Sequence, residues 1–198
     1  GHTSDVFSVN WNYAGTKLVS ASADNNVRVW DAFSGECENV LSKHRDWVRY
    51  AIFNPKGDRI ASASSDNTII LWNAKTGEYI TTLYGHSAPV MSVNFDPTSK
   101  RLVSSSWDKT IIVWNAEGGY QLGHCKAHKK EVYYTEFNLD GTKIVSCSDD
   151  KTFYVWNSET LQYESSWKEH SNYVNSAVFS PDGNSLATAS SDRTIRIW

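Results

Sequence analysis

Hydrophobic and polar positions fall into short extended runs separated by turn residues. Val48 to Phe53 reads as a strand, Asn54-Pro55-Lys56-Gly57 as a turn, and Arg59 to Ser64 as a second strand. Asp66-Asn67 then turns the chain into Thr68 to Trp72. Ile69, Ile70 and Leu71 make this third run apolar almost without a break, so both of its faces must be buried. After Lys75-Thr76-Gly77 comes a fourth, more polar strand, Tyr79 to Leu83, which fits an outer edge. No helical period of apolar residues occurs anywhere in the chain.

The pattern returns every 42 residues. The copies align without insertion or deletion as 1–42, 43–84, 85–126, 127–168 and an incomplete 169–198. One four-stranded sheet buried on both faces cannot be satisfied alone and must stack on copies of itself. Radial stacking does this while protecting the sheet edges.

Each copy carries a His, a Ser or Thr, an Asp and a Trp in fixed register. The sets are His2-Ser20-Asp24-Trp30, His44-Ser62-Asp66-Trp72, His86-Ser104-Asp108-Trp114, His128-Ser146-Asp150-Trp156 and His170-Thr188-Asp192-Trp198. In these residues the whole chain resembles the WD40 repeat family. The resemblance implies an all-β fold, a β-propeller of four-stranded antiparallel blades, with the five repeats forming part of a larger ring of about seven blades. It also implies that the four residues form a structural hydrogen-bonded set, carboxylate to His, His to hydroxyl, hydroxyl to indole. The Gly before the His survives only at Gly1 and Gly85, and the Trp-Asp pair is literal only at Trp30-Asp31, with Asn73, Asn115 and Asn157 in other copies.

A Ser, a His and an Asp in register invite comparison with a hydrolase triad. A catalytic constellation is needed once, at a cleft, whereas this one recurs in every copy with a Trp as fourth member, so the sequence reads as no enzyme. The five His-Asp pairs belong to five different units, and no residues stand at metal-ligand spacing, so no metal is expected. No phosphate-cradling glycine loop is present, and no cofactor is expected. A net charge of -3 gives no basic field for nucleic acid or anionic lipid, and no apolar run is long enough for a membrane span. Lys126, Lys129 and Lys130 read as a solvated loop, and His124 as an outer-strand residue without a role. Three cysteines without CxxC spacing, and no glycosylation sequon, fit an intracellular compartment, cytoplasm or nucleus.

The resemblance further implies that partners dock on side chains at the start of each first strand and on the residue before each repeated Asp. The first set is Asp5 and Phe7, Trp47 and Arg49, Pro89 and Met91, Glu131 and Tyr133, Tyr173 and Asn175; the second is Ala23, Ser65, Trp107, Asp149 and Ser191. These positions vary between copies and are rich in residue types that dominate interface hot spots. Trp47 and Trp107 are expected to be exposed. Trp11, in the slot of Phe53, Phe95, Phe137 and Phe179, is expected in the core. Asp5, Glu131 and Asp149 beside Phe7, Tyr133 and Trp107 suit a basic or Arg-bearing peptide, through carboxylate pairing and cation-π contact. The expected function is therefore a protein-interaction scaffold. The rival reading is a substrate-recruiting or sensing domain of a larger enzyme, such as a ligase subunit or a signalling ATPase.

Copy five stops at Trp198, after its third strand, giving nineteen strands in all. An open stack of this kind exposes the apolar faces of copies one and five. The chain made alone is therefore expected to self-associate, visible as concentration-dependent light scattering; a stable, closed monomer would contradict this.

Overall fold

The computed structural model describes residues 1–198. It contains nineteen strands and no helix. Copies one and two supply β1 (Val6–Trp11), β2 (Lys17–Ser22), β3 (Asn26–Asp31), β4 (Cys37–Ser42), β5 (Val48–Phe53), β6 (Arg59–Ser64), β7 (Ile69–Asn73) and β8 (Tyr79–Leu83). Copy three supplies β9 (Val90–Phe95), β10 (Arg101–Ser106), β11 (Ile111–Asn115) and β12 (Gln121–Cys125). The remaining strands are β13 (Val132–Phe137), β14 (Lys143–Ser148), β15 (Phe153–Asn157), β16 (Tyr163–Trp167), β17 (Val174–Phe179), β18 (Leu186–Ser190) and β19 (Ile195–Ile197). Each of the first four copies is a four-stranded sheet in sequence order, and the fifth is the three-stranded sheet β17-β18-β19. The registers resolved within the sheets are antiparallel throughout. Contacts gather into two compact units, Gly1–Val93 and Asn94–Trp198.

In the first unit the third strand of copy two is buried on both faces, with Ile69, Ile70, Leu71 and Trp72 all inaccessible to solvent or nearly so. On one of those faces Ile70 and Trp72 share a core with Val19, Ala21, Val27 and Val29 of copy one and with Val48, Ala51, Phe53 and Ile60 of copy two. Burial of each valine, isoleucine and phenylalanine side chain among these contributes about 1.5–3 kcal/mol. Backbone groups on β5 are also tied to copy one, where Asn10 Nδ2 donates to the Ala51 carbonyl at 2.8 Å and Ser8 Oγ accepts from the Ala51 amide at 3.2 Å.

Trp11 departs from the expectation that it is core, being 59% exposed. Phe53 is buried because copy one lies against it. Trp11 has no preceding copy among residues 1–198 to lie against, so its ring and the side chains of Val6 and Val9 on the same strand face solvent. Occupying the slot is thus not enough to bury a side chain; a neighbouring sheet must cover it.

In the second unit, Val103, Ile111 and Val113 of copy three pack with Val132, Phe137 and Ile144 of copy four. Val145, Cys147, Phe153 and Val155 then pack with Val174, Ala177 and Leu186 of copy five. The free Cys125 and Cys147 are buried in these cores, and burial pushes the Cys125 thiol up to about 12, so it acts as a small apolar residue. Polar side chains again bridge neighbouring copies. Asn94 Nδ2 donates to the Thr135 carbonyl at 2.8 Å, and Glu136 Oε1 accepts from the Phe179 amide at 3.0 Å. At the far side of copy five Ile195 and Ile197 of β19 stay exposed.

Arg101, on β10, straps copy three to two turns of copy four. Its Nη1 donates to the Ser158 carbonyl at 3.1 Å and Nη2 to the Gly141 carbonyl at 2.7 Å, while Nε bonds Asp96 at 3.3 Å. The guanidinium also lies 5.0 Å from the centre of the Phe137 ring. Gly141, with φ of 74°, occupies a left-handed turn position that a side chain resists. Removing Arg101 leaves two carbonyls short of a charged donor, so Arg101→Ala should destabilise the chain by about 1.5–3 kcal/mol in urea titration. Arg101→Lys should recover only part of this, because a single ammonium cannot reproduce the planar fork.

Candidate functional site

The repeated His, Ser/Thr, Asp and Trp side chains form one continuous chain of hydrogen bonds. In copy two the Trp72 indole N–H donates to Ser62 Oγ at 2.8 Å, Ser62 Oγ meets His44 Nε2 at 2.8 Å, and His44 Nδ1 meets Asp66 Oδ2 at 2.8 Å. The set closes when Nδ1 carries the ring proton and Nε2 accepts from the hydroxyl. The same links occur at His2, Ser20, Asp24 and Trp30, at His128, Ser146, Asp150 and Trp156, and at His170, Thr188, Asp192 and Trp198. In copy three Trp114 likewise donates to Ser104 at 2.8 Å.

The Asp of each set also builds the turn that holds it. Asp66 Oδ2 accepts from the Arg45 amide at 3.0 Å, and Oδ1 from the Thr68 amide at 3.0 Å and the Thr68 hydroxyl at 2.7 Å. The entering loop, the β6–β7 turn and two strands are therefore fixed by one carboxylate. The residue after each Asp takes a positive φ, from 67° at Asn25 to 73° at Lys109. Asn tolerates this conformation more readily than Lys or Arg, which hold it in copies three to five.

Burial alone would raise these carboxyls. The bond and charge of His44, with bonds from Thr68 and the Arg45 amide, more than offset it and hold Asp66 well below the ordinary 3.8. Asp150 is held down in the same way by His128, Thr152 and the Lys129 amide, and Asp24 falls to about 2. The triad-like Ser, His and Asp are enclosed: Ser62, Ser146 and Thr188 are buried, and each hydroxyl oxygen already receives an indole N–H.

The two sets of variable positions meet in space through a repeated backbone bond. The amide of the residue before the Asp donates to the carbonyl at the start of the first strand: Ala23 to Asp5 at 2.8 Å, Ser65 to Trp47 at 2.8 Å, Asp149 to Glu131 at 2.9 Å and Ser191 to Tyr173 at 3.0 Å. Between that carbonyl and the regular ladder, the register slips by one residue in copies one, two, four and five. Phe7, Arg49, Tyr133 and Asn175 are the extra residues of these β-bulges. A bulge re-aims its side chain out of the alternating pattern.

In the first unit the bulge gathers a cation between two rings. Phe7 and Trp47 lie 5.8 Å apart, and the Arg49 guanidinium carbon is 4.8 Å from the first ring centre and 4.7 Å from the second. Arg49 Nε donates to Ser65 Oγ at 2.8 Å, as Asn175 Nδ2 does to Ser191 Oγ at 2.9 Å in copy five. Trp47 is 46% exposed, and Met91 is half-buried.

The second unit gathers acids and tyrosines. Tyr133 and Tyr173 lie 6.3 Å apart, and burial followed by the charges of Asp149 and Glu131 pushes the Tyr133 phenol up. Trp107 is 39% exposed. One partner was not foreseen from the sequence: Lys130 Nζ sits 3.0 Å from Asp149 Oδ2, a pair between exposed and part-buried side chains. The signal lay in the basic run at Lys129-Lys130, which sequence reasoning assigned to solvent.

Two family models match the chain. One, described as IFT122 first beta-propeller, covers residues 53–198, and one described as WD domain, G-beta repeat covers residues 1–31. Among individual proteins, the chain is 33% identical over 55 residues to a chromatin assembly factor 1 subunit of Mus musculus, covering 28% of this chain and 10% of that protein. It is 39% identical over 54 residues to the chromatin assembly factor 1 subunit FAS2 homolog of Oryza sativa subsp. japonica, 27% of this chain and 11% of that protein. It is 40% identical over 42 residues to nuclear distribution protein PAC1 of Mycosarcoma maydis, 21% of this chain and 9% of that protein. Each match spans 42 to 55 residues of this chain, about a tenth of the relative's own length.

Asp150→Ala should cost about 1–3 kcal/mol, because it strips a buried histidine and two backbone amides of their acceptor. Since the folded carboxyl titrates below the unfolded one, the unfolded chain takes up its proton first as pH falls below 3.8, and the stabilisation is lost there. Thermal melts of wild type and variant should therefore differ most near neutral pH and converge in acid.

Proposed function

The chain belongs to the WD40 β-propeller family, and from that premise we propose that it is a non-catalytic protein-interaction scaffold that receives a basic, Arg- or Lys-bearing peptide on its second unit. Propellers of this family are typically protein-interaction scaffolds. The observation that carries the finer reading is the cluster of Glu131, Asp149, Tyr133 and Tyr173, where a bulge aims a tyrosine into the field of two carboxylates. An arginine of a partner would pair with the carboxylates and lie against the phenol rings, two contacts that reinforce each other. Lys130 already occupies Asp149 as an exposed internal cation, so an incoming arginine exchanges with it rather than meeting a bare acid. Surface exchange of this kind is weak and sensitive to salt.

The names of two relatives refer to chromatin assembly and to nuclear distribution. Together with three free cysteines, these names support a cytoplasmic or nuclear setting for this chain.

A fluorescent arginine-containing peptide should bind the chain more tightly than its glutamate counterpart. Glu131→Gln combined with Asp149→Asn should weaken binding about tenfold, a change of about 1.4 kcal/mol. Lys130→Ala should strengthen it by removing the competing cation. Equal affinity in wild type and the double variant, with unchanged melting temperatures, would overturn the reading.

A further inference from the structure

Glu136, on β13, is a part-buried acid of the second unit that no ion pair reaches. Its two oxygens hold two different strands. Oε2 accepts from the Tyr134 hydroxyl at 3.0 Å, two residues back on the same face of β13, and Oε1 accepts from the Phe179 amide at 3.0 Å, at the end of β17. Burial pushes the carboxyl above its ordinary 4.5, and these two bonds oppose the push.

The position has a general task and, here, a singular occupant. In the other copies it holds Asn10, Ile52, Asn94 and Val178. Asn10 and Asn94 each donate at 2.8 Å to a backbone carbonyl of the next copy, so the slot ties one inner strand to its neighbour. A carboxylate has no proton to give. Glu136 therefore takes an amide of copy five instead of a carbonyl, and its second oxygen takes the Tyr134 hydroxyl.

Both tied segments carry rings of the docking site. The bulge leaves Tyr133 out of the ladder, and Tyr134 rejoins it opposite Cys147, so the anchored ring is the direct chain neighbour of the docking ring. Tyr173 immediately precedes β17, and its ring lies 6.3 Å from that of Tyr133. We propose that Glu136 is a positioning residue for the basic-peptide site: one oxygen fixes the bulge that projects Tyr133, the other fixes the strand that carries Tyr173, and together they set how the two rings face an incoming cation. The inference rests on the basic-peptide reading of that site. Three residues along a strand place Glu136 about 10 Å from Tyr133, so it acts through geometry and touches no ligand. Copies four and five stay packed without it, because Val145, Phe153, Val174, Ala177 and Leu186 share one apolar core.

The test compares wild type with Glu136→Val, Glu136→Gln and Tyr134→Phe. Valine is the residue of copy five and keeps neither bond; glutamine keeps an acceptor for the Phe179 amide and a polar group for the Tyr134 hydroxyl. Three quantities are read: the nuclear Overhauser contact between the Tyr133 and Tyr173 rings, hydrogen exchange of the Phe179 amide, and affinity for a fluorescent arginine-containing peptide. Glu136→Val should lose the ring contact, expose the Phe179 amide to exchange and weaken the peptide about tenfold, whereas Glu136→Gln should return affinity to within about twofold of wild type. Tyr134→Phe leaves the Phe179 bond in place and should weaken binding about threefold, which decides the matter if Glu136→Val does not fold. Unchanged ring contact in Glu136→Val, affinity lost while that contact persists, Glu136→Gln no better than Glu136→Val, or no effect of Tyr134→Phe would each overturn the proposal. A wild type that binds no arginine peptide would sink the basic-peptide reading instead, and the ring contact and Phe179 exchange would still decide whether Glu136 sets the geometry of the rings.

Discussion

One carboxylate per copy carries the architecture. Asp66 accepts four hydrogen bonds, from a histidine, a loop amide, a turn amide and a turn hydroxyl. Through the histidine it reaches Ser62 and the Trp72 indole, so a turn at the surface is wired to the third strand in the core. The carboxylate can be enclosed only because every lone-pair direction is satisfied. A half-satisfied acid in this position would destabilise the blade. The repeat therefore tolerates change at Gly1 or Asp31 equivalents, which are outside this chain of bonds, while each copy keeps the four members in register.

A framework fixed in this way leaves the first strand's start free to vary. The bulge is what makes the freedom useful. Phe7, Arg49, Tyr133 and Asn175 are surplus to the ladder, so their side chains are not required for either face of the sheet. The backbone bond from the residue before the Asp places a second variable side chain beside each of them. The result is a cation held between rings in the first unit and a tyrosine held between acids in the second. Identical scaffolding thus presents opposite charge in different copies.

Much of the fold was legible because its causes are periodic. The run Ile69-Ile70-Leu71 announced a strand buried on both faces, and copy one covers the face that carries Ile70 and Trp72. Strand limits in copy two were read closely, with the third strand running Ile69–Asn73 rather than from Thr68, because Thr68 is committed to the Asp66 turn. Trp11 was misread because its environment depends on a neighbouring sheet, which position within a copy does not encode. The bulges were not legible either, since one slipped residue leaves the apolar pattern intact. The Lys130–Asp149 pair escaped for a related reason: its members lie nineteen residues apart and meet only once the β13–β14 hairpin forms.

Indole N–H resonances offer the most direct test that framework and docking surface are separate. Trp72, Trp156 and Trp198 donate to Ser62, Ser146 and Thr188 inside their blades, whereas Trp47 and Trp107 stand at the variable positions. Titration with an arginine-containing peptide, read by the indole and backbone amide signals together, should move the amides around Tyr133 and Tyr173 and leave the Trp72, Trp156 and Trp198 indoles in place. Movement of those three indoles, with silence at Tyr133 and Tyr173, would contradict the account.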